Sequence, residues 1–145
     1  MTSNTPVIVE AVRSPQGKED GVFADVRSED LSIPLIDGML DRTGLTGADV
    51  DDLLWGCAQQ RGEQGNNVAR VIALLSELGE ETPATTINRW CASSAEAVMR
   101  AADAIAAGQR DCLIAGGMES MSRVPMGENT HNVHQIGRAS CRERV

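Results

Sequence analysis

Apolar and polar positions along this chain fall into short blocks whose period switches repeatedly between strand-like and helical. Val7 to Val12 (V-I-V-E-A-V) is an apolar run ended by R-S-P, and it predicts a buried strand. Gly17 to Arg27 is polar and glycine-bearing, hence a loop. From Asp30 to Thr43 the spacing is helical, with Leu31, Leu35, Ile36, Met39 and Leu40 on one face. Asp30 stands at the capping position, Pro34 falls in the first turn where a missing N–H costs little, and Gly44 stops the helix. Asp52 to Cys57 (D-L-L-W-G-C) predicts a second strand, and Gln59 to Asn66 a loop. Asn67 opens a helix to Leu78, with Val68, Val71, Ile72, Leu75 and Leu78 at helical spacing and Gly79 closing it. Pro83 to Ile87 predicts a third short strand. Cys91 to Ala107 is helical again; Ala95, Val98, Met99, Ala102, Ile105 and Ala106 share a face, and Gly108 is the stop. Asp111 to Gly117 (D-C-L-I-A-G-G) predicts a fourth strand.

The predicted order is β-α-β-α-β-α-β. Strands alternating with helices imply an α/β fold: a mainly parallel sheet with helices on both faces. Residues 1–118 read as one α/β domain, and from Glu119 the pattern dissolves into polar and turn-forming residues. The last stretch, Ile136 to Val145 (I-G-R-A-S-C-R-E-R-V), is basic and has no period. It matches, at every position, the in-frame translation of a widely used short-read sequencing adapter. It reads as a non-native tail.

Composition narrows the function classes. The chain has 145 residues, 41% of them hydrophobic but only 2% aromatic, so its core must be aliphatic and rich in small residues. The net charge of -8, with no basic stripe, argues against nucleic-acid binding. The N-terminus lacks a basic region followed by a long apolar run, and no window has the ~20 apolar residues that cross a bilayer. The reading is a cytoplasmic protein with no membrane partner. Cys57, Cys91, Cys112 and Cys141 show neither C-x-x-C nor Cys/His ligand spacing, so they read as thiols, with no metal site.

One cysteine stands apart. Cys57 and Cys112 lie inside short apolar strands and read as small buried fillers. Cys91 lies in N-R-W-C-A-S-S-A-E-A-V, directly after a strand and where a helix opens. First-turn N–H groups have no intrahelical partner, and their partial positive charge favours a thiolate. The same N–H groups can hold the negative oxygen of a tetrahedral intermediate. Strand carboxyl ends in α/β sheets face the ligand crevice, and Ala92, Ser93, Ser94 and Ala95 leave room for a substrate. Physics alone leaves a buried filler and a nucleophile both open, with the nucleophile slightly favoured.

The run N-R-W-C-A-S-S resembles the nucleophile motif of thiolases, in which an asparagine precedes the reactive cysteine by three. V-E-A-V-R-S-P resembles their first strand and its exit. W-G-C-A-Q-Q and E-Q-G-N-N-V-A-R resemble the second strand and second-helix opening of fatty-acid-degrading members, and A-G-G-M-E-S-M-S the glycine-rich fourth strand and its turn. The resemblance covers Val7 to Gly127, in order. It implies a thiolase-like N-terminal domain in which Cys91 is the acyl-accepting nucleophile, with its own N–H as an oxyanion donor. Residues 119–135 would begin a CoA-binding loop region.

The implied reaction is thiolysis of a 3-ketoacyl-CoA to acetyl-CoA and a shortened acyl-CoA, as in fatty-acid β-oxidation. CoA and acyl-CoA enter as substrates, and no cofactor is needed. Biosynthetic members run the reverse condensation, and a non-catalytic lipid-binding relative or a half-length interaction module stays open. Family members assemble as homodimers or homotetramers, with the Pro83–Ile87 strand near the two-fold axis. Many members carry glycine where Ser94 stands, which bears on acyl-chain preference. The family's general base lies in a G-H-P motif and its second cysteine in C-x-G-G-G; neither motif occurs here. His131 and His134 read as solvated loop residues, so no turnover is expected from these 145 residues alone. Gln64 reads either as a loop cap or as a residue reaching a site across a dimer. Glu119 reads as a loop-orienting or a solvated carboxylate, Asn88 as the side chain that fixes the turn before Cys91, and Gly116 and Gly117 as architecture.

Overall fold

The computed structural model describes residues 4–127. Three strands, β1 (Asp52–Gly56), β2 (Ala84–Ile87) and β3 (Leu113–Gly117), form one sheet in the order β2-β1-β3. Both pairings are parallel, with Gly56 opposite Ile87 on one side and opposite Gly117 on the other. Three helices, α1 (Ile33–Thr43), α2 (Val68–Leu75) and α3 (Ser93–Ala106), complete the frame.

The alternation of β1 divides the core. Leu53 and Trp55 point to one face, where they meet Ile36 and Leu40 of α1, Val68, Ile72 and Ala73 of α2, and Ile114 of β3. Leu54 points to the other face and meets Ile87, Ala97 and Ala101. Helices therefore cover both faces, as the alternating pattern implied.

Val7 to Val12 does not form the predicted strand. It has no regular secondary structure, and Val7, Ile8 and Val9 are 73%, 81% and 77% exposed. A run apolar on both sides is a strand only when it is paired and covered on both faces. Both sides of β1 are already occupied by β2 and β3, and this run joins no outer edge.

The first helix also starts later than predicted. Asp30 lies in a separate 3-10 turn, Glu29–Leu31, and α1 begins at Ile33 with Pro34 in its first turn. Gly44 closes it with φ 71°, the left-handed geometry that glycine adopts freely. Asn67 caps α2 as expected, its side chain accepting the Arg70 N–H. That helix stops at Leu75, earlier than the pattern implied.

The buried face of α3 is the other stripe. Ser93, Ala97 and Ala101 are buried, while Val98 and Met99 are exposed at 45% and 49%. The small-residue stripe wins because the helix start lies almost in contact with the sheet. A Cβ added at Gly56 would sit 2.5 Å from the Ser94 nitrogen, and one at Gly117 would sit 2.1 Å from Ser94 Oγ. Only the alanine face fits that separation.

Candidate active site

Parallel strands bring all three carboxyl ends to one edge of the sheet, so the loops that leave them are neighbours. The loop after β1 carries Cys57 to Gln60, the loop after β2 carries Asn88 to Ala92, and the loop after β3 carries Met118 to Ser122.

Cys91 is exposed and stands two residues before the first residue of α3. The turn that presents it is tightly held. Trp90 has φ 50°, a left-handed conformation that costs a bulky residue about 1–2 kcal/mol. Such strain persists only where neighbouring groups determine it. Here the Asn88 side chain does so from both of its ends. Asn88 Oδ1 accepts the Trp90 N–H at 3.0 Å, and Asn88 Nδ2 donates to the Ala58 carbonyl at 2.9 Å. Asn88 thus fixes the turn before Cys91, as its position suggested. Ser93 closes the other side. Its Oγ accepts the Arg89 N–H at 2.8 Å and donates to the Trp90 carbonyl at 2.5 Å.

The three described thiols differ sharply in environment. Cys57 is 1% exposed, and burial, reinforced by the Glu119 charge, pushes its pKa up to about 12. Burial followed by the charges of Asp51 and Asp49 raises Cys112. Both are neutral thiols at physiological pH; Cys57 is buried as its filler reading expected, while Cys112 is only half-buried at the edge of the core. Cys91 alone combines exposure with a helix mouth. Glu96, in the first turn of α3, is held below the usual carboxylate range by bonds from Arg100 and Arg89. Those two guanidiniums offset its charge beside the turn.

Gln64 is wholly buried and bonds within its own chain, which fits the loop-capping reading. Its Nε2 donates to the Gln59 carbonyl at 2.9 Å and to Glu119 Oε1 at 2.6 Å, and its Oε1 accepts the Ser120 N–H at 2.8 Å. Glu119 also accepts the Ala58 N–H at 2.8 Å, so it orients neighbouring loops. Gly117 is architectural against Ser94, and Gly116 against Trp55, whose ring would lie 2.6 Å from an added Cβ. His131, His134, Cys141 and the 136–145 tail lie outside the described residues. Sequence reasoning missed Gly56, Ser93 and the strained Trp90. Gly56 carried a signal, a glycine inside an apolar strand. The other two carried none, because neither a tryptophan nor a serine at these positions marks a left-handed turn or a clasp by its residue type.

A family model described as "Thiolase, N-terminal domain" matches residues 6–143. The chain belongs to the thiolase N-terminal domain family. Among curated relatives, it is 49% identical to a 3-ketoacyl-CoA thiolase of Pseudoalteromonas translucida over 85% of this chain and 32% of that protein. It is 49% identical to a beta-ketoadipyl-CoA thiolase of Acinetobacter baylyi over 81% of this chain and 30% of that protein. Among solved structures, the Bacillus anthracis acetyl-CoA acetyltransferase superposes with a TM-score of 0.79 at 30% identity, over 91% of this chain and 35% of that one. This thiolase domain thus spans about a third of the length of the relatives it matches. No helix among the described residues is long and apolar enough to cross a membrane.

Proposed function

We propose that this chain is the nucleophile-bearing part of a thiolase that cleaves 3-ketoacyl-CoA. Cys91 as thiolate adds to the keto carbon. The bond between that carbon and the α-carbon then breaks, and its electron pair leaves with acetyl-CoA, which takes up a proton. The shortened acyl group remains on Cys91 as a thioester until the sulfur of free CoA attacks it and restores the thiolate. One hard carbon–carbon cleavage becomes two easier steps. The observation that supports this is the selective presentation of Cys91, exposed in a strained and doubly anchored turn while Cys57 is buried and Cys112 half-buried.

The proton-handling steps need groups that this sequence does not carry in the family's motifs, so the chain alone turns over no substrate. The complete protein acts as a homodimer or homotetramer on small acyl-CoA molecules, and needs no further cofactor. A second reading is the reverse, acetoacetyl-CoA-forming condensation, favoured by the structural relative named an acetyl-CoA acetyltransferase. It uses the same cysteine with the steps reversed.

The test is a rapid quench of the complete protein that carries this segment, mixed with a 3-ketoacyl-CoA in the absence of CoA. The acyl group should be found on the Cys91 peptide, and Cys91→Ser should abolish both adduct and turnover. Turnover by Cys91→Ser close to that of the unaltered protein would overturn the proposal.

A further inference from the structure

We propose that Glu119 is a positioning residue for Cys91, acting through the Ala58 peptide and Asn88. The inference rests on the reading of Cys91 as nucleophile. Glu119 is exposed, yet its carboxylate gathers three donors from two segments of chain. Oε2 accepts the Ala58 N–H at 2.8 Å, and Oε1 accepts the Gln59 N–H at 3.2 Å and the Gln64 side-chain N–H at 2.6 Å. A freely solvated carboxylate has no such set. Bonds to an ionised acceptor are also about twice as strong as neutral ones.

The Ala58 peptide is held at both of its ends. Glu119 takes its N–H, and Asn88 Nδ2 donates to its carbonyl at 2.9 Å. Donation to a carboxylate polarises a peptide and strengthens its carbonyl as an acceptor. Asn88 is in turn the group that holds the Trp90 N–H, in the residue whose φ of 50° immediately precedes Cys91. The connection runs from the loop after β3, through the loop after β1, to the loop after β2. Gln64 braces its first link, because it bonds both the Gln59 carbonyl and the Ser120 N–H from a fully buried position. Without Glu119, the Ala58 carbonyl loses its fixed position. Asn88 then no longer compensates the Trp90 strain, and Cys91 drifts from the mouth of α3.

Four variants of the 145-residue chain test this: Glu119→Ala, Glu119→Gln, Asn88→Ala and the Glu119→Ala/Asn88→Ala double variant. The first readout is the iodoacetamide rate of Cys91 relative to Cys112 in the same molecule. The second is the pair of backbone amide signals from 15N-tryptophan, since Trp55 and Trp90 are the only two tryptophans. Trp55 reports the core and Trp90 reports the turn. Protection of buried Cys57 shows that each variant is folded.

Glu119→Ala should lower the Cys91-to-Cys112 ratio ~10-fold, the equivalent of one lost charge-assisted bond. It should shift the Trp90 amide and leave Trp55 in place. Glu119→Gln keeps one acceptor oxygen and should fall between. The Glu119→Ala/Asn88→Ala double variant should lose no more than Asn88→Ala alone, because both act through one peptide. If Glu119→Ala exposes Cys57, Glu119→Gln decides. A protected Cys57 with an unmoved Trp90 amide and an unchanged ratio overturns the inference. Should Cys91 of the unaltered chain react no faster than Cys112, the nucleophile reading fails. The Trp90 amide then still judges the positioning network by itself.

Discussion

Replacing Gly56 with alanine tests the close seating of α3 on the sheet. The added Cβ would lie 2.5 Å from the Ser94 nitrogen, 2.6 Å from the Ser93 carbonyl carbon and 2.9 Å from Ser94 Cα. All three are backbone atoms, so no side chain can swing aside and the helix start itself must move. Overpacking of a tight core costs about 1–3 kcal/mol, and backbone contacts on every side put this site at the upper end, near 3 kcal/mol. In a chain of this size about 1 kcal/mol corresponds to roughly 2–4 °C in Tm, so the expected fall is roughly 6–12 °C. Gly38 supplies the opposite control. It lies within α1, and an added Cβ there meets nothing within 4 Å. Gly38→Ala should therefore stabilise by about 0.8–1 kcal/mol through helix propensity, raising Tm by roughly 2–4 °C. Thermal unfolding followed by circular dichroism reads both. A Gly56→Ala chain that melts within ~2 °C of the unaltered one would refute the close contact, and with it the reason for the buried face of α3.

Other consequences follow from named contacts. Arg123 and Ser28 hold the Glu63 carboxyl at a pKa of about 2, below its ordinary 4.5. Because the folded pKa is the depressed one, the stabilisation is complete above about 4.5 and is lost as pH falls from there to about 2. After allowance for screening by the partly exposed Arg123 it amounts to roughly 2 kcal/mol. Urea midpoints should drop between pH 6 and pH 3, and drop less in Glu63→Gln; equal drops would contradict the pairing. Ile72, 0% exposed on α2 in the cluster with α1 and β1 residues, should cost about 2–5 kcal/mol when cut to alanine, measured by urea unfolding. Asn67 caps α2, donates to the Ala84 carbonyl and accepts from Thr86 Oγ1, tying α2 to β2. Asn67→Ala should cost about 1–2 kcal/mol, and a change under ~0.5 kcal/mol in the same assay would show that the cap is idle.

The parallel architecture was legible because β1 and β3 are short apolar runs, β2 is a short β-branched one, and helical periods punctuated by Gly44 and Gly108 separate them. Two errors share one cause: local pattern cannot say what is available to bury a segment. Val7 to Val12 has the composition of a strand and lacks a ladder partner among the described residues. The apolar stripe of α3 through Val98 and Met99 is larger than the alanine stripe, yet the approach permitted by Gly56 and Gly117 turns the smaller one inward. The site divides similarly. Cys91 and Asn88 were visible because helix-start electrostatics and asparagine turn chemistry are local. The Glu119 bond to Ala58 was not, because it joins residues 61 apart, and the left-handed Trp90 and the Ser93 clasp were not, because neither residue type marks its role in a local pattern.

The account turns on Cys91 being, among the described residues, the one thiol presented for chemistry, and competitive alkylation tests that directly. The folded chain is treated with limiting iodoacetamide near neutral pH, and each cysteine peptide is quantified by mass spectrometry. Cys91 should be modified first, Cys112 slowly, and Cys57 only after denaturation. Modification of Cys91 no faster than Cys112, with Cys57 still protected, would contradict the central claim.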